Sequence, residues 1–364
     1  MQTAATETQR FDALHGARGL AAIAVMCLHL QFYTRFADGW LPGAYLAVDL
    51  FFLLSGFVIA HAYDARLRTG LSPLVFLRRR LARLYPLYAL SLLISALVVL
   101  ERIGREGIGA FSRLDLAASF VLSAVLLPVP PALSISPTQL FPLNGPAWSL
   151  FLEILLNLAF GCMALLLTRR RLAWLIGLAG LLLALVTWHH AGLDVGTRWD
   201  SLEGGLGWIF FSFLCGIFMR RFLPLGPVPG PVLPLVLMAG AFVLAATPAV
   251  ALRPQFDLAV VVVVWPCLLR LASGVRLAGP IRRAAHALGE ASYGIYILHM
   301  PLMSLMAALS RWLGLSVHQR DLWFLWGAVP ATALLCVWLN RAYDEPVRRR
   351  LAGRGSAPAA LDAR

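Results

Sequence analysis

No lysine occurs anywhere in the 364 residues, so all 31 of the Lys and Arg positions are arginine. Phosphate binding and codon bias account for this equally well, because the planar guanidinium makes paired hydrogen bonds to phosphate that an ammonium group does not. Charge of either sign is scarce. Only 13% of residues are charged against 60% hydrophobic, and the mean hydropathy is +0.76, which is not the composition of a soluble domain. Cysteine is sparse as well. Cys27, Cys162, Cys215, Cys267 and Cys336 stand singly in apolar runs with no CxxC spacing, a pattern that points to neither a disulfide framework nor a zinc site. Internal repeats, low-complexity tracts and linkers are missing. The polar start MQTAATETQRFDALHG lacks the design of a signal peptide, so the first apolar run is expected to stay as a span.

Apolar runs fill the space these absences leave. They lie near 19–36, 43–63, 85–101, 115–133, 147–168, 172–189, 206–222, 232–251, 256–273, 291–312 and 322–340, each near the roughly 20 residues a helix needs to cross hydrocarbon. The net charge of +13 is carried by short arginine clusters between these runs, which reads as a topology signal rather than a nucleic-acid face. With a cytoplasmic N-terminus and eleven spans, twelve arginines fall inside and nineteen outside, against the positive-inside rule. If 115–133 does not cross, twenty-three fall inside and eight outside. That run ends in LLPVPPALSISP, whose prolines disrupt helix and suit a re-entrant or interfacial element. The charge count by itself also admits 85–101 as the non-crossing run. The expected fold is all-α: a polytopic membrane bundle of about ten transmembrane helices plus a re-entrant or interfacial segment near 115–133. Residues 1–15 are expected as a cytoplasmic N-terminal segment, 16–345 as one membrane domain and 346–364 as a basic, disordered cytoplasmic tail.

Several runs carry groups that hydrocarbon rejects. In RGLAAIAVMCLH, Arg18 and His29 are eleven residues apart, which at about 100° per residue returns them to one helix face roughly 16 Å apart. Arg18 also reads as a snorkelling anchor and His29 as a satisfied packing residue, but an ionisable group inside a span is a functional candidate by default. In AVDLFFLLSGFVI, Asp49 lies two turns in, and Ser55, six residues on, points to a different face. Asp49 needs a partner, with His29 or an arginine the candidates, or it simply pins two helices. In FLRRRLARLYPLY, Arg79 and Arg83 stack at i, i+4, where they could grip a polyphosphate or anchor the span beside Arg78 and Arg80. NGPAWSLFLEILLN places Trp148 as an interfacial aromatic and Glu153 one and a half turns in, turned away from lipid. ASYGIYILHMPL sets His299 mid-span between Tyr296 and Pro301, and YDEPVRRR closes the last span with Asp344 and Glu345.

Taken together and in order, RGLAAIAVMCLH, VDLFFLLSGFVI, RRRLARLYPLY, WSLFLE, SYGIYILHMPL and DEPVRRR resemble the acyltransferase 3 family of integral-membrane acyltransferases, without a fused extracytoplasmic hydrolase-like domain. The resemblance covers almost the whole chain. It implies ten core helices and transfer of an acyl group, expected to be acetyl, from cytoplasmic acyl-CoA to a hydroxyl of an extracytoplasmic or lipid-linked carbohydrate. Arg18 and His29 match the family's essential arginine and histidine. Trp148, Ser149 and Glu153 match its tryptophan-serine-leucine-x-x-glutamate motif, and Arg79, Arg80 and Arg83 its donor-associated basic motif. One departure stands out: the family's aspartate beside the arginine step is replaced by His15, which leaves Asp12 as the candidate local partner of Arg18.

Acyl transfer from a thioester needs a base or nucleophile, and a histidine with an ordinary pKa near 6.5 is mostly neutral at pH 7. That role falls to His29, with Glu153 or Asp49 to hold the ring. Arg18, Arg79, Arg80 and Arg83 are expected to seat the phosphates of acyl-CoA, with acetyl-CoA the expected co-substrate and no metal. Ser55, Trp148, Ser149, Tyr296 and His299 are expected as substrate contacts or structural support. The partners are the acyl-CoA donor, a carbohydrate or glycoside acceptor and the lipid bilayer, with no nucleic acid and the oligomer unknown. The location is a bacterial-type inner membrane with both termini cytoplasmic. Two other classes share these features: a transporter of a glycan or small molecule without acyl transfer, and a non-catalytic partner in envelope assembly.

Overall fold

Apolar runs flanked by arginine become helices because the backbone groups of a chain in hydrocarbon must bond within the chain. The computed structural model describes residues 11–35, 41–107, 111–224, 232–246 and 249–351. Each of the eleven apolar runs contains a helix: α1 Asp12–Phe32, α2 Ala44–Arg68, α3 Pro73–Glu106, α4 Arg113–Ala124, α5 Ala147–Met163, α6 Arg169–His189, α7 Trp199–Phe222, α8 Val232–Ala245, α9 Val250–Ala272, α10 Gly279–Trp312 and α11 Val317–Leu351. Eight are long and apolar enough to cross a membrane, and α5 and α8 are shorter apolar helices. Among the described residues there are no strands, only an isolated bridge between Gln139 and Arg198. Leucines 178, 182 and 185 of α6 stay exposed on the outer face of the bundle, as a lipid-facing surface requires.

The α4 helix is the exception the arginine distribution anticipates. Its 12 residues rise only about 18 Å, short of the roughly 30 Å hydrocarbon core. A capping box starts it, with Asp115 N–H donating to Ser112 Oγ at 3.1 Å and Ser112 N–H to Asp115 Oδ2 at 2.6 Å. It stops at Ala124, and Leu126 adopts a positive φ of 56°. The carbonyls freed at that end are taken up by α3, where Tyr88 donates to Ser123 O at 2.6 Å and Tyr85 to Ala124 O at 2.8 Å. The proline-rich chain beyond it ties to the 191–199 loop: Leu140 N–H donates to Thr197 O, Trp199 N–H to Thr138 O, and the Trp199 indole to Val129 O.

The ends of the chain differ from the expected boundaries. The first helix begins at Asp12, and Asp12, Ala13 and Leu14 are buried, so residues 11–15 belong to the bundle. The last helix continues through Leu351, which makes 346–351 helical rather than part of a disordered tail; the rest of that tail, and residues 1–10, lie outside the described residues.

Two helix pairs approach at glycine. A Cβ on Gly19 of α1 would meet Leu288 of α10 at 2.6 Å, and one on Gly289 would meet His15 at 2.7 Å. Likewise a Cβ on Gly56 of α2 would run into the Phe213 carbonyl of α7, and one on Gly216 into that of Leu53. Small residues that let backbones close are how membrane helices gain packing without a hydrophobic drive between them.

The arginine clusters converge on one end of the bundle. Arg221 of α7 donates to Asp64 of α2 and to the Leu167 and Ala164 carbonyls after α5, at 2.6 and 3.1 Å for the latter two. Arg220 reaches His61 of α2 at 2.9 Å, and the His61 ring packs 5.2 Å from that of Phe11 at the start of α1. The starts of α1, α3 and α10 and the ends of α2, α5, α7 and α11 therefore lie together.

Candidate functional site

The close glycine contact between α1 and α10 sets the first element of the site. Arg18 donates through Nε to Ser292 Oγ at 2.8 Å and through Nη2 to the Gly289 carbonyl at 2.5 Å. Asp12, the expected local partner of Arg18, lies 2.6 Å from His286 Nε2 instead. The physical reason is that α10 lies against this face of α1 and brings its own acceptors to Arg18.

Arg18 stands in the wall of a basic vestibule of about 570 Å³. Its other charged lining residues are Arg83 of α3, Arg282, Arg283 and Glu290 of α10, and Arg341, Glu345 and Arg348 of α11. Six arginines thus face two glutamates. Four of those arginines were absent from the sequence-level donor set. They look like ordinary anchors in the sequence, and only the meeting of α10 with α11 places them around one space. The α-helix of α11 loosens into a π turn over Asn340–Asp344 beside this space, a feature common at functional sites.

Arg18, Leu54, Val58, Arg83, Glu290 and Arg348 also line a narrower cleft of about 130 Å³, so the two spaces share a wall. Val48, Phe51, Phe52, Ile59, Leu84 and Leu150 make its sides apolar, and Ser55, Arg80, Ser149, Glu153, Ser292, Tyr293, Tyr296 and Asp344 add polar groups. Glu153 Oε1 accepts from Arg80 Nη2 at 2.7 Å and from Ser55 Oγ at 3.1 Å. Arg80, not Arg79, is therefore the inward arginine: it is 7% exposed and lines the cleft with Arg83, whereas Arg79 lines neither space. The expected Arg79 and Arg83 pairing gives way because the Glu153 carboxylate draws its neighbour inward. Ser149 Oγ and Tyr296 OH share a hydrogen bond of 2.8 Å in the wall of the cleft.

Beyond Tyr296 lie the two intramembrane histidines. The His299 ring centroid is 6.2 Å from that of Tyr296, and His299 Nε2 is 2.9 Å from His29 Nδ1 with the rings stacked at 4.9 Å. Arg18 and His29 thus share the α10-facing side of α1, as their spacing requires. The partner of His29 is His299 rather than Glu153 or Asp49. Glu153 is committed to Arg80, and Asp49, fully buried, accepts from Ser212 of α7 at 2.9 Å. Asp49 and Ser55 do occupy different faces of α2, and the one toward the cleft is Ser55. Trp148 is not interfacial: it is 4% exposed and stacks 5.8 Å from Trp208, under Gly196 and Gly205.

Sequence reasoning missed Asn144. Pro301 has no N–H to offer the Ile297 carbonyl one turn back. Asn144 Nδ2 donates to it at 2.9 Å, and to Ser91 Oγ at the same distance. A proline inside a span, as at Pro301, is the signal that could have called for such a donor. Among the described residues no group of three or more His, Cys, Asp or Glu side chains could hold a metal ion.

The described residues thus form a polytopic helix bundle with an arginine-lined vestibule, an adjoining apolar cleft and a pair of intramembrane histidines. A family model described as an acyltransferase domain, that of the acyltransferase 3 family, matches residues 11–341, and the chain belongs to that family. It is a multi-pass membrane acyltransferase. Among curated proteins, acyltransferase MdmB of Streptomyces mycarofaciens is 29% identical over 327 residues, covering 80% of this chain and 78% of its own length. Exopolysaccharide production protein ExoZ of Rhizobium meliloti is 27% identical over 312 residues, 83% of this chain and 89% of its own. Protein 2 in the picA locus of Rhizobium radiobacter is 42% identical over 161 residues, 42% of this chain and 81% of its own. No solved structure matches the chain.

Proposed function

We propose that the protein transfers an acetyl group from acetyl-CoA, bound at the basic end, to a hydroxyl of an extracytoplasmic or lipid-linked carbohydrate at the other end of the bundle. The observation that carries this is an arginine-rich vestibule sharing a wall with an apolar cleft, in which Tyr296 stands with its ring 6.2 Å from that of His299, the partner of His29. Coenzyme A is a chain of phosphates followed by a long neutral arm ending in the thioester, and the two spaces follow that order. The arginine forks of Arg18, Arg83, Arg282, Arg283, Arg341 and Arg348 take the phosphates. The apolar cleft takes the arm. The rise of about 1.5 Å per residue from Arg18 to His29 makes α1 a ruler between the two ends of the donor.

The positive-inside rule puts the basic end in the cytoplasm, where acyl-CoA is made, and with it both termini; the membrane is then a bacterial-type inner membrane. The carbohydrate acceptor is suggested by the relative named for exopolysaccharide production. In the reaction the acceptor O–H proton passes to His29, the acceptor oxygen forms a bond to the acyl carbon, and the carbon–sulfur bond breaks. The sulfur keeps that electron pair and receives the proton from His29. Arg80 and Glu153 act on the cleft wall rather than on the ring.

The test compares purified His29→Ala and Arg18→Ala with the parent protein. His29→Ala is expected to lose on the order of 10²-fold to 10⁴-fold in transfer and to keep acetyl-CoA binding; Arg18→Ala is expected to weaken that binding. Wild-type transfer by His29→Ala sinks the assignment. Mass spectrometry of envelope polysaccharides from cells with and without the protein identifies the acceptor, because one species should lose an acetyl mass.

A further inference from the structure

The two ring nitrogens of a histidine are not interchangeable, and the hydrogen bond made by one decides what the other can do. His299 Nδ1 lies 3.1 Å from the Ile295 carbonyl oxygen. That oxygen can only accept, so Nδ1 carries a hydrogen. His299 is fully buried, and no carboxylate is bonded to either ring of the pair among the described residues, so a neutral His299 avoids an unsupported buried charge. A neutral ring protonated at Nδ1 presents Nε2 as an acceptor. That Nε2 faces His29 Nδ1 at 2.9 Å, so His29 Nδ1 must be the donor. The lone pair of His29 then sits on Nε2. His29 is half-buried while His299 is sealed, which leaves His29 as the ring able to meet a substrate.

We propose that His299 is a positioning residue that fixes the tautomer of His29, making His29 Nε2 the nitrogen that takes the acceptor's proton. This rests on the reading of His29 as the base. The hydrogen-bond chain runs from His29 Nδ1–H to His299 Nε2, and from His299 Nδ1–H to the Ile295 carbonyl. When Nε2 takes the proton and His29 becomes a cation, its Nδ1–H bond to His299 strengthens, since charge-assisted hydrogen bonds are the stronger ones. The proton on Nε2 stays there until the departing sulfur takes it. His299 therefore does for His29 what a carboxylate does in a serine-histidine-aspartate triad, orienting the ring and choosing its tautomer, with a neutral acceptor suited to a dry site. Asn144 and Pro301 hold the chain on either side: Asn144 caps the Ile297 carbonyl that Pro301 leaves open, which keeps this turn of α10 in register with α1.

The experiment uses the full-length protein in nanodiscs with ¹⁵N-labelled histidine, the His29 signals being assigned by their loss in His29→Ala. Nitrogen shifts separate the two neutral tautomers. The parent is expected to show His29 protonated at Nδ1, and His299→Phe, which keeps a ring but removes the acceptor, is expected to lose that preference. Kinetics use acetyl-CoA with envelope polysaccharide isolated from cells lacking the protein. His299→Phe should lower kcat by about 10²-fold with KM for acetyl-CoA within about twofold, and His299→Gln, whose side-chain carbonyl again offers an acceptor, should recover most of the loss. A parent spectrum with His29 protonated at Nε2, or an unchanged His29 tautomer in a folded His299→Phe protein, overturns the proposal. So does failure of His299→Gln to recover any activity while folding normally. Wild-type turnover in His29→Ala is a different failure: it removes the reading of His29 as base, while the spectrum still decides the tautomer.

Discussion

The two ends of the bundle balance arginine differently. At the end opposite the vestibule several arginines are matched to acids. Arg35 pairs with Asp321 at 3.0 Å, Arg102 with Glu106 at 3.0 Å, Arg105 with Glu101 at 3.3 Å, Arg198 with Asp200 at 3.0 Å and Arg311 with Glu101 at 3.6 Å. At the vestibule six arginines share one space with two glutamates, and one of the six, Arg348, also pairs with Asp344 at 3.1 Å. Surface pairs of the first kind contribute little each, about 0–1 kcal/mol. An excess of one sign around a cavity repels itself, and such a field favours an anion. The difference teaches that a count of arginines along the chain reports topology, while the balance of charge around a space reports chemistry.

The largest effect expected is at the Arg80–Glu153 ion pair in the wall of the cleft. Glu153→Gln leaves the Arg80 guanidinium, 8% exposed, without its countercharge, and removing one partner of a buried pair costs about 3–5 kcal/mol. Thermal unfolding in detergent should show a large loss of stability, and Arg80→Met combined with Glu153→Leu should recover most of it. If Glu153→Gln is as stable as the parent, the pair is not the structural clamp its geometry describes.

Next in size is the vestibule itself. Arg282→Ala with Arg283→Ala should raise KM for acetyl-CoA on the order of tenfold or more, since hydrogen bonds to charged groups contribute about 1.5–3 kcal/mol and each 1.4 kcal/mol is about a factor of ten. Its kcat should stay within about twofold, and the parent's KM should rise with salt. Arg198→Ala, at the matched end, is the control and should leave KM unchanged. Equal effects at the two ends would erase the contrast.

The smallest effect is expected at Asp49. Its carboxylate sits against Ser212 of α7, outside the residues that line either space. An asparagine there still accepts from the serine, so Asp49→Asn should keep transfer within about threefold and stability within about 1 kcal/mol. A hundredfold loss would return Asp49 to the site.

Much of this was legible from the residues. The eleven apolar runs became eleven helices because segment hydropathy is local, and the short α4 was foretold by arginine counts and by the prolines that follow it. The common face of Arg18 and His29 also came through, since helical periodicity holds whatever the neighbours are. Azimuth against unknown neighbours did not. Nothing in FLRRRLARLYPLY says that Arg80 rather than Arg79 turns inward, because that depends on a carboxylate 73 residues away. Nothing in ASYGIYILHMPL pairs His299 with His29, 270 residues apart. Trp148 was misplaced for the same reason: an aromatic near a span end reads as interfacial until Trp208 and two glycines are found packed on it.

By itself the sequence determined the solvent of this protein, its helical class, its apolar segments and their basic ends, and through six ordered motifs its family. Each follows from composition or from periodicity within one segment. Only the tertiary structure decided which arginines surround the vestibule, which carboxylate holds Arg80, and which side chain sets the tautomer of His29. These are contacts between different helices, which periodicity within one segment does not set; the His29–His299 pair, for one, lies on the α1–α10 contact that closes at Gly19 and Gly289.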